Sequence, residues 1–186
     1  MNKLEALREY LKDKRVVLVG NSESVLKTER DIDLYDVIIR MNWATPKGKE
    51  KYIGSRTDIL ATSLPFSNIE FFTEPKHYIW LDPRHKNIDD FLKDRAVFYE
   101  RVSWEYLKLL LNNYMPSTGC MTLDFLLSEE MPFKSLDIVG FDFWQTSTWY
   151  RTERDMPKYV GPHSPKDEER FFTEIVDMYE NVNFIL

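Results

Sequence analysis

The feature that most constrains this chain is a series of short apolar runs of β type, separated by segments with helical spacing. The clear strand candidates are RVVLVG (15–20), DVIIRMN (36–42), DILATS (58–63), HYIWLD (77–82) and LDIVGFDF (136–143). RAVFYE (95–100) is a weaker sixth candidate, and NVNFIL closes the chain. Several runs are apolar on both faces, as strands buried inside a parallel sheet must be. The pattern predicts an α/β fold, a three-layer Rossmann-like sandwich with a mostly parallel central sheet.

Size and charge narrow the class of protein. The 186 residues fit a single domain over 1–186, and the net charge of −6 argues against nucleic-acid binding, which needs a basic surface. Cys120 is the sole cysteine, so a reducing compartment is favoured and we expect a cytoplasmic protein. No apolar run approaches the roughly 20 residues of a transmembrane segment. Residues 1–14 predict an amphipathic helix packed on the domain, with a peripheral membrane helix as the alternative.

The first candidate motif follows the first strand. Gly20, Asn21 and Ser22 would lie at the carboxyl end of a parallel sheet, where ligands bind in such folds, and Gly20 would let the backbone approach a ligand closely. Neither G-x-G-x-x-G nor G-x-x-x-x-G-K-[ST] is present, so no common nucleotide fingerprint applies. Taken by itself, the segment is better explained as an ordinary turn between a strand and a helix.

A second motif, MPSTGCMTLDFLL (115–127), contains a helix start. Ser117 or Thr118 can cap the helix, and Gly119 keeps its first turn open. The unpaired N–H groups and positive dipole end of a helix N-terminus favour anions. Capping and ligand binding are compatible, so both roles stay open.

A third motif, GPHSPKDEER (161–170), places His163 just before a helix capped near Ser164. Histidine titrates near neutrality, so such a residue can act as a general base. A lone histidine in a loop is more often exposed and inert, and the sequence pattern alone does not choose between these roles.

In chain order, these segments resemble the sialylmotifs of glycosyltransferase family 29, the eukaryotic-type sialyltransferases, in a short form typical of a bacterial or phage member. The long motif is matched by Gly20-Asn21-Ser22, Asp31, Asp33, Asp36, Arg40-Met41-Asn42 and Gly54-Ser55-Arg56-Thr57. PSTG (116–119), continuing to LDIVGFDF, resembles the short motif. His163 and Glu168 match the very short motif.

The resemblance implies an inverting, metal-independent transfer of sialic acid from CMP-sialic acid to a glycan hydroxyl, with the CMP-sugar as co-substrate and no other cofactor. His163 would be the general base, and Glu168 would orient the helix start or the base. The implied donor-binding residues are Asn21, Ser22 and Asn42 for phosphate and ribose, Ser117, Thr118 and Gly119 for phosphate and carboxylate, and Gly140 and Phe141 for cytidine. The implied supporting residues are Gly20, Arg40, Tyr150 and Glu168.

Two departures from the family pattern limit these roles. The fourth motif, H-Y-Y-[DE], is replaced by STWYR (147–151), with Arg151 or Arg154 as candidate substitutes for its histidine. The cysteine pair of secretory members is also missing. Two alternatives therefore stay open beside transfer: hydrolysis of a CMP-sugar, and a catalytically silent module that binds CMP.

Overall fold

Every apolar run predicted as a strand forms one in the computed structural model, which describes residues 1–65, 74–85, 88–150 and 161–185. The strands are β1 Arg15–Val19, β2 Val37–Met41, β3 Ile59–Thr62, β4 His77–Trp80, β5 Ala96–Phe98, β6 Ser135–Val139 and β7 Val182–Ile185. They form one sheet in the order β5-β4-β3-β2-β1-β6-β7. Every neighbouring pair is parallel, so within the described ranges the sheet is parallel throughout rather than mostly.

Helices cover both faces of this sheet. They are α1 Lys3–Leu11, α2 Glu50–Ile53, α3 Asp90–Lys93, α4 Arg101–Leu110, α5 Thr118–Ser128 and α6 Pro165–Met178, with short 3-10 helices at Glu23–Lys27 and Ile32–Leu34. The four longer helices share the largest apolar core with one face of the sheet. The short helices and Trp149 cover the other face, which confirms the three-layer prediction.

The N-terminal helix shows how the sequence builds one of these layers. Asn2 and Glu5 form a capping box, in which each side chain accepts a hydrogen bond from the other residue's backbone N–H. Leu7 and Leu11 are fully buried, so α1 is a helix packed on the domain, as predicted. None of the helices in the described ranges has the length and hydropathy of a membrane-spanning segment.

The strand order determines where a ligand can bind. From β1 the chain adds β2 to β5 along one side, and it then returns to place β6 and β7 on the other side of β1. The loops that follow β1 and β6 therefore lead in opposite directions, which opens a crevice at the carboxyl edge of the sheet. The predicted motifs G-N-S (20–22) and G-F (140–141) both lie at that crevice.

Candidate active site

A cavity of 390 Å³ lies at the carboxyl edge of the sheet, within the size range of small-molecule sites. Among its lining residues are all the predicted site residues except Gly20 and Arg40, namely Asn21, Ser22, Asn42, Ser117, Thr118, Gly119, Gly140, Phe141, Tyr150, His163 and Glu168. The fold thus brings residues from the long, short and very short motifs to one place. The first and the last of these residues, Asn21 and Glu168, are 147 residues apart in the sequence, so only the tertiary structure makes them neighbours.

Gly20 has a packing role that the structure shows directly. A Cβ atom at this position would overlap the carbonyl oxygen of Gly140. That carbonyl accepts hydrogen bonds from the backbone N–H of Ser22 at 3.2 Å and from its hydroxyl at 2.8 Å. The missing side chain at Gly20 therefore lets the β1 and β6 loops pack together, and its close approach to a ligand stays a prediction.

Arg40 also lies away from the cavity. It is fully buried in β2, and its guanidinium donates hydrogen bonds to the carbonyls of Ile53, Gly54 and Arg56. Burial lowers the pKa of Arg40 to about 10. Arg40 therefore stabilises the framework of the fold, because its hydrogen bonds hold the end of α2 and the segment that follows it.

Asn21 presents an unsatisfied polar atom to the cavity. Its Nδ2 donates to the carbonyl of Met41 at 3.4 Å and to the hydroxyl of Tyr150 at 3.3 Å. Its Oδ1 is buried and has no hydrogen-bond partner among the described residues. Since buried polar atoms are nearly always paired, this oxygen is suited to accept a hydrogen bond from a bound ligand.

Asn42 connects the β2 loop to the start of α5. It adopts a left-handed backbone with φ of 53°, which asparagine tolerates better than most residues. Its Nδ2 donates to the hydroxyl of Thr118 at 3.1 Å, and its Oδ1 accepts from the backbone N–H of Ser63 at 3.1 Å. The hydroxyls of Ser63 and Thr118 lie 2.8 Å apart. Ser63 was not predicted, because nothing in DILATS marks its end as part of a polar network.

At the start of α5 the capping residue is Ser117. Its hydroxyl accepts from the backbone N–H of Cys120 at 3.2 Å and donates to Glu168 at 2.6 Å. The backbone N–H of Ser117 also donates to Glu168, at 2.7 Å, so Glu168 orients the helix start. The Ser117 hydroxyl thus donates its proton to Glu168 in this structure, and its role toward a bound donor stays a prediction. The backbone N–H groups of Thr118 and Gly119 lie in the first turn of α5, where N–H groups have no acceptor within the helix.

Glu168 is a carboxyl group in a nearly closed environment. It is 2% exposed, and burial raises its pKa to about 7 even though the two hydrogen bonds from Ser117 favour the ionised form. Ionisation of Glu168 near neutral pH therefore lowers the free energy of unfolding of the protein.

His163 is held by two contacts. Its Nδ1 lies 2.7 Å from the carbonyl oxygen of Met115, and its ring stacks on Trp144 with centroids 5.4 Å apart and planes inclined by 17°. A carbonyl only accepts, so Nδ1 carries the proton and Nε2 of the neutral ring carries the lone pair. Trp144 and its neighbour Phe143 both have positive φ, and the sequence carries no signal for that geometry.

The segment in the position of the fourth motif lies across the G-N-S loop. Thr148 forms a β-bridge with Ser22, and the backbone N–H of Trp149 donates to the carbonyl of Asn21 at 3.0 Å. This packing brings Tyr150 to Asn21. The candidate substitutes Arg151 and Arg154 lie outside the described residues.

The cavity also extends beyond the predicted motifs. Its remaining part is lined from the ends of β3 and β4 and from α4, by residues that include Leu64, Asp82, Arg84 and Trp104. Asp82 and Arg84 form an ion pair at 2.8 Å. Sequence reasoning missed this part, because DPR after β4 matches none of the motifs considered.

Comparison with known proteins agrees with this geometry. The model of glycosyltransferase family 29 (sialyltransferase) matches residues 5–99, just over half of the chain. No curated protein matches the sequence. A mammalian sialyltransferase crystal structure is similar with a TM-score of 0.66 and 20% identity, over 99% of this chain and 79% of that one.

Two further structures are similar in fold. One is a mammalian sialyltransferase in complex with Gal-beta-1-3GalNAc-ortho-nitrophenol (TM-score 0.65, 18% identity, 98% of this chain and 76% of that one). The other is sialyltransferase CstII from Campylobacter jejuni in complex with the substrate analogue CMP-3FNeuAc (TM-score 0.61, 14% identity, 92% and 80%). Because the family model matches more than half of the chain, the chain belongs to glycosyltransferase family 29, the sialyltransferase family.

Proposed function

We propose that this protein transfers sialic acid, or a related sugar, from a CMP-sugar donor to a hydroxyl group of a glycan acceptor, with inversion and without a metal ion. The observation that carries the proposal is the placement of His163 on the same cavity as Asn21, Asn42 and the start of α5. Structures of similar fold contain a CMP-sugar analogue in one case and a disaccharide acceptor in another, which supports the same two ligand classes here.

Stabilisation of the leaving group follows from the geometry of α5. A departing CMP carries a phosphate charge, and donors that are already oriented stabilise such a charge without reorganisation. The backbone N–H groups of Thr118 and Gly119 point from the positive end of an 11-residue helix, where anions are favoured. The hydroxyl of Tyr150, next to Asn21, is a further donor on this cavity.

His163 is suited to remove the proton from the attacking hydroxyl. The lone pair on Nε2 accepts that proton, and the carbonyl of Met115, which already accepts from Nδ1–H, stabilises the cation that forms. Glycosyl transfer passes through a transition state like an oxocarbenium ion, so a base on the face opposite the leaving group gives inversion.

Calorimetric titration with CMP, UDP, GDP and AMP tests the donor site, and we expect a clear preference for CMP. Turnover is then measured as free CMP released from CMP-sialic acid, with and without lactose as acceptor. Release of free sialic acid at the same rate without lactose would favour the hydrolase alternative. CMP binding without any turnover across an acceptor panel would favour the silent module.

A variant pair tests the base. We expect His163→Ala to retain CMP binding and to lose at least about 100-fold in turnover, the usual contribution of general-base catalysis. His77→Gln is the matched control, because His77 begins β4 and does not line the cavity. Full turnover in His163→Ala would refute the assignment of the base. Turnover by the wild-type protein and by His77→Gln should survive EDTA, and its loss would refute the metal-independent mechanism.

A further inference from the structure

The part of the cavity at the ends of β3 and β4 has no role in the proposed function so far. β4 lies three strands away from β1 in the sheet. At a strand spacing of about 4.8 Å, its carboxyl end is about 14 Å from the G-N-S loop. A ligand whose nucleotide lies against Asn21 would therefore reach this part of the cavity with its sugar or with the acceptor.

Arg84 supplies a positively charged side chain to this part of the cavity. Its Nε and Nη2 donate to the two carboxylate oxygens of Asp82, at 2.8 and 3.3 Å, and its backbone N–H donates to Asp82 at 3.0 Å. Asp82 is 8% exposed, whereas the Arg84 side chain is 54% exposed. Both oxygens of Asp82 are thus occupied, and the guanidinium plane is held in one orientation.

The guanidinium edge of Arg84 that does not face Asp82 can still donate hydrogen bonds to a ligand. Nη1 of Arg84 has no hydrogen-bond partner in the described part of the chain. A guanidinium with oriented N–H groups is suited to bind a carboxylate in preference to a neutral hydroxyl.

Arg84 is also the only lysine or arginine among the lining residues that the structure describes. The acidic lining residues are Asp82, which pairs with Arg84, together with Asp142 and Glu168. A CMP-sialic acid donor carries a phosphate and a carboxylate. The N–H groups at the start of α5 suit the phosphate, which leaves Arg84 as the cation for a carboxylate.

We propose that Arg84 binds the carboxylate of a sugar at the β4 end of the cavity, either the donor's own carboxylate or that of an acidic acceptor. This inference rests on the proposed function, since it takes a CMP-sugar as the ligand of the adjoining part. It adds a residue that determines specificity and that none of the sequence motifs contains.

Binding to the full chain is measured by calorimetry with four probes. These are CMP, an unreactive C3-fluorinated CMP-sialic acid, and, in the presence of CMP, p-nitrophenyl β-galactoside and p-nitrophenyl β-galacturonide. The two glycosides differ only at C6, which is a hydroxymethyl group in the galactoside and a carboxylate in the galacturonide. The variants are Arg84→Met and Arg84→Lys, and Arg101→Met is the matched control because Arg101 pairs with Glu105 at 2.9 Å but does not line the cavity.

We expect Arg84→Met to lower the affinity for a carboxylate-bearing probe by about 10- to 100-fold, the usual effect of losing a hydrogen bond between charged groups. Its affinities for CMP and for the galactoside should stay unchanged. Arg84→Lys should lose less affinity for that probe than Arg84→Met does, and Arg101→Met should bind all four probes with wild-type affinity. A loss confined to the fluorinated donor assigns the donor's carboxylate, and a loss confined to the galacturonide assigns the acceptor's.

Normal CMP binding with no selective loss of either carboxylate probe in Arg84→Met would overturn this inference and leave the proposed function intact. An equal loss for galactoside and galacturonide, without any loss of the fluorinated donor, would also overturn it. Absence of CMP binding by the wild-type chain would refute the proposed function and this inference with it.

Discussion

The buried carboxyl group of Glu168 should make the stability of this protein depend on pH in a specific way. Its pKa is raised from the ordinary 4.5 to about 7, chiefly because burial disfavours the charged form. Between these two values the folded chain binds more protons than the unfolded chain. The free energy of unfolding therefore falls as the pH rises through this window, and it levels off above pH 7.

The magnitude follows from the two pKa values. At about 1.36 kcal/mol for each pKa unit, the ionised carboxylate costs about 3 kcal/mol of native-state stability above pH 7. Glu168→Gln removes this cost because the amide is neutral at every pH. Its oxygen can still accept from the backbone N–H of Ser117, and its amino group can donate to the Ser117 hydroxyl, so the start of α5 keeps its partner.

Urea unfolding at pH 5, 6, 7 and 8 measures the effect. Glu169→Gln is the matched control, since it makes the same chemical change at the next, exposed position of α6. The histidines titrate identically in both variants, so the difference between their pH profiles isolates Glu168. We expect the control to lose about 3 kcal/mol more than Glu168→Gln from pH 5 to pH 8. Parallel profiles would refute the argument that Glu168 is ionised at a cost.

The framework and the helix start give three further predictions. Gly20→Ala should destabilise the protein by about 1–3 kcal/mol, because its methyl group would overlap the backbone of Gly140; an unchanged melting temperature would contradict this packing. Arg40→Lys should lower the urea-derived free energy of unfolding by about 1.5–3 kcal/mol, because an ammonium group cannot reach all the carbonyls that the guanidinium binds; unchanged stability would mean that those bonds contribute little. Thr118→Ala should weaken CMP binding more than Ser117→Ala does, measured by calorimetry, since the Ser117 proton is used by Glu168; the reverse order would support Ser117 as a ligand donor.

Much of the fold could be predicted from local sequence. Strands buried on both faces are mostly apolar, so runs such as VVLV in β1 and VII in β2 could be predicted as strands without reference to their neighbours. The location of the cavity was also predictable, because the carboxyl ends of parallel strands share one edge of the sheet. For that reason Asn21 could be assigned to this edge from the strand pattern, whereas Asn42 and Gly140 were assigned to the same site through the family resemblance.

The roles of individual side chains depended on contacts between distant segments. Gly20 looked like a ligand-binding glycine, and only the position of Gly140, 120 residues later in the chain, shows that it serves packing. Likewise, the proton of the Ser117 hydroxyl is assigned by Glu168 on another helix, and the ring of His163 is held by Trp144 through a turn of unusual backbone geometry.

The sequence by itself determined the layered α/β fold and the edge of the sheet at which the candidate site lies, because burial and strand direction act on short segments, and the family resemblance supplied most of the residues around that site. Only the tertiary structure decided which polar atoms are already paired and which remain for a ligand, including the unpaired oxygen of Asn21 and the oriented guanidinium of Arg84. Hydrogen-bond pairing is a property of atoms within about 3 Å of one another, and in this protein those atoms come from segments far apart in the chain.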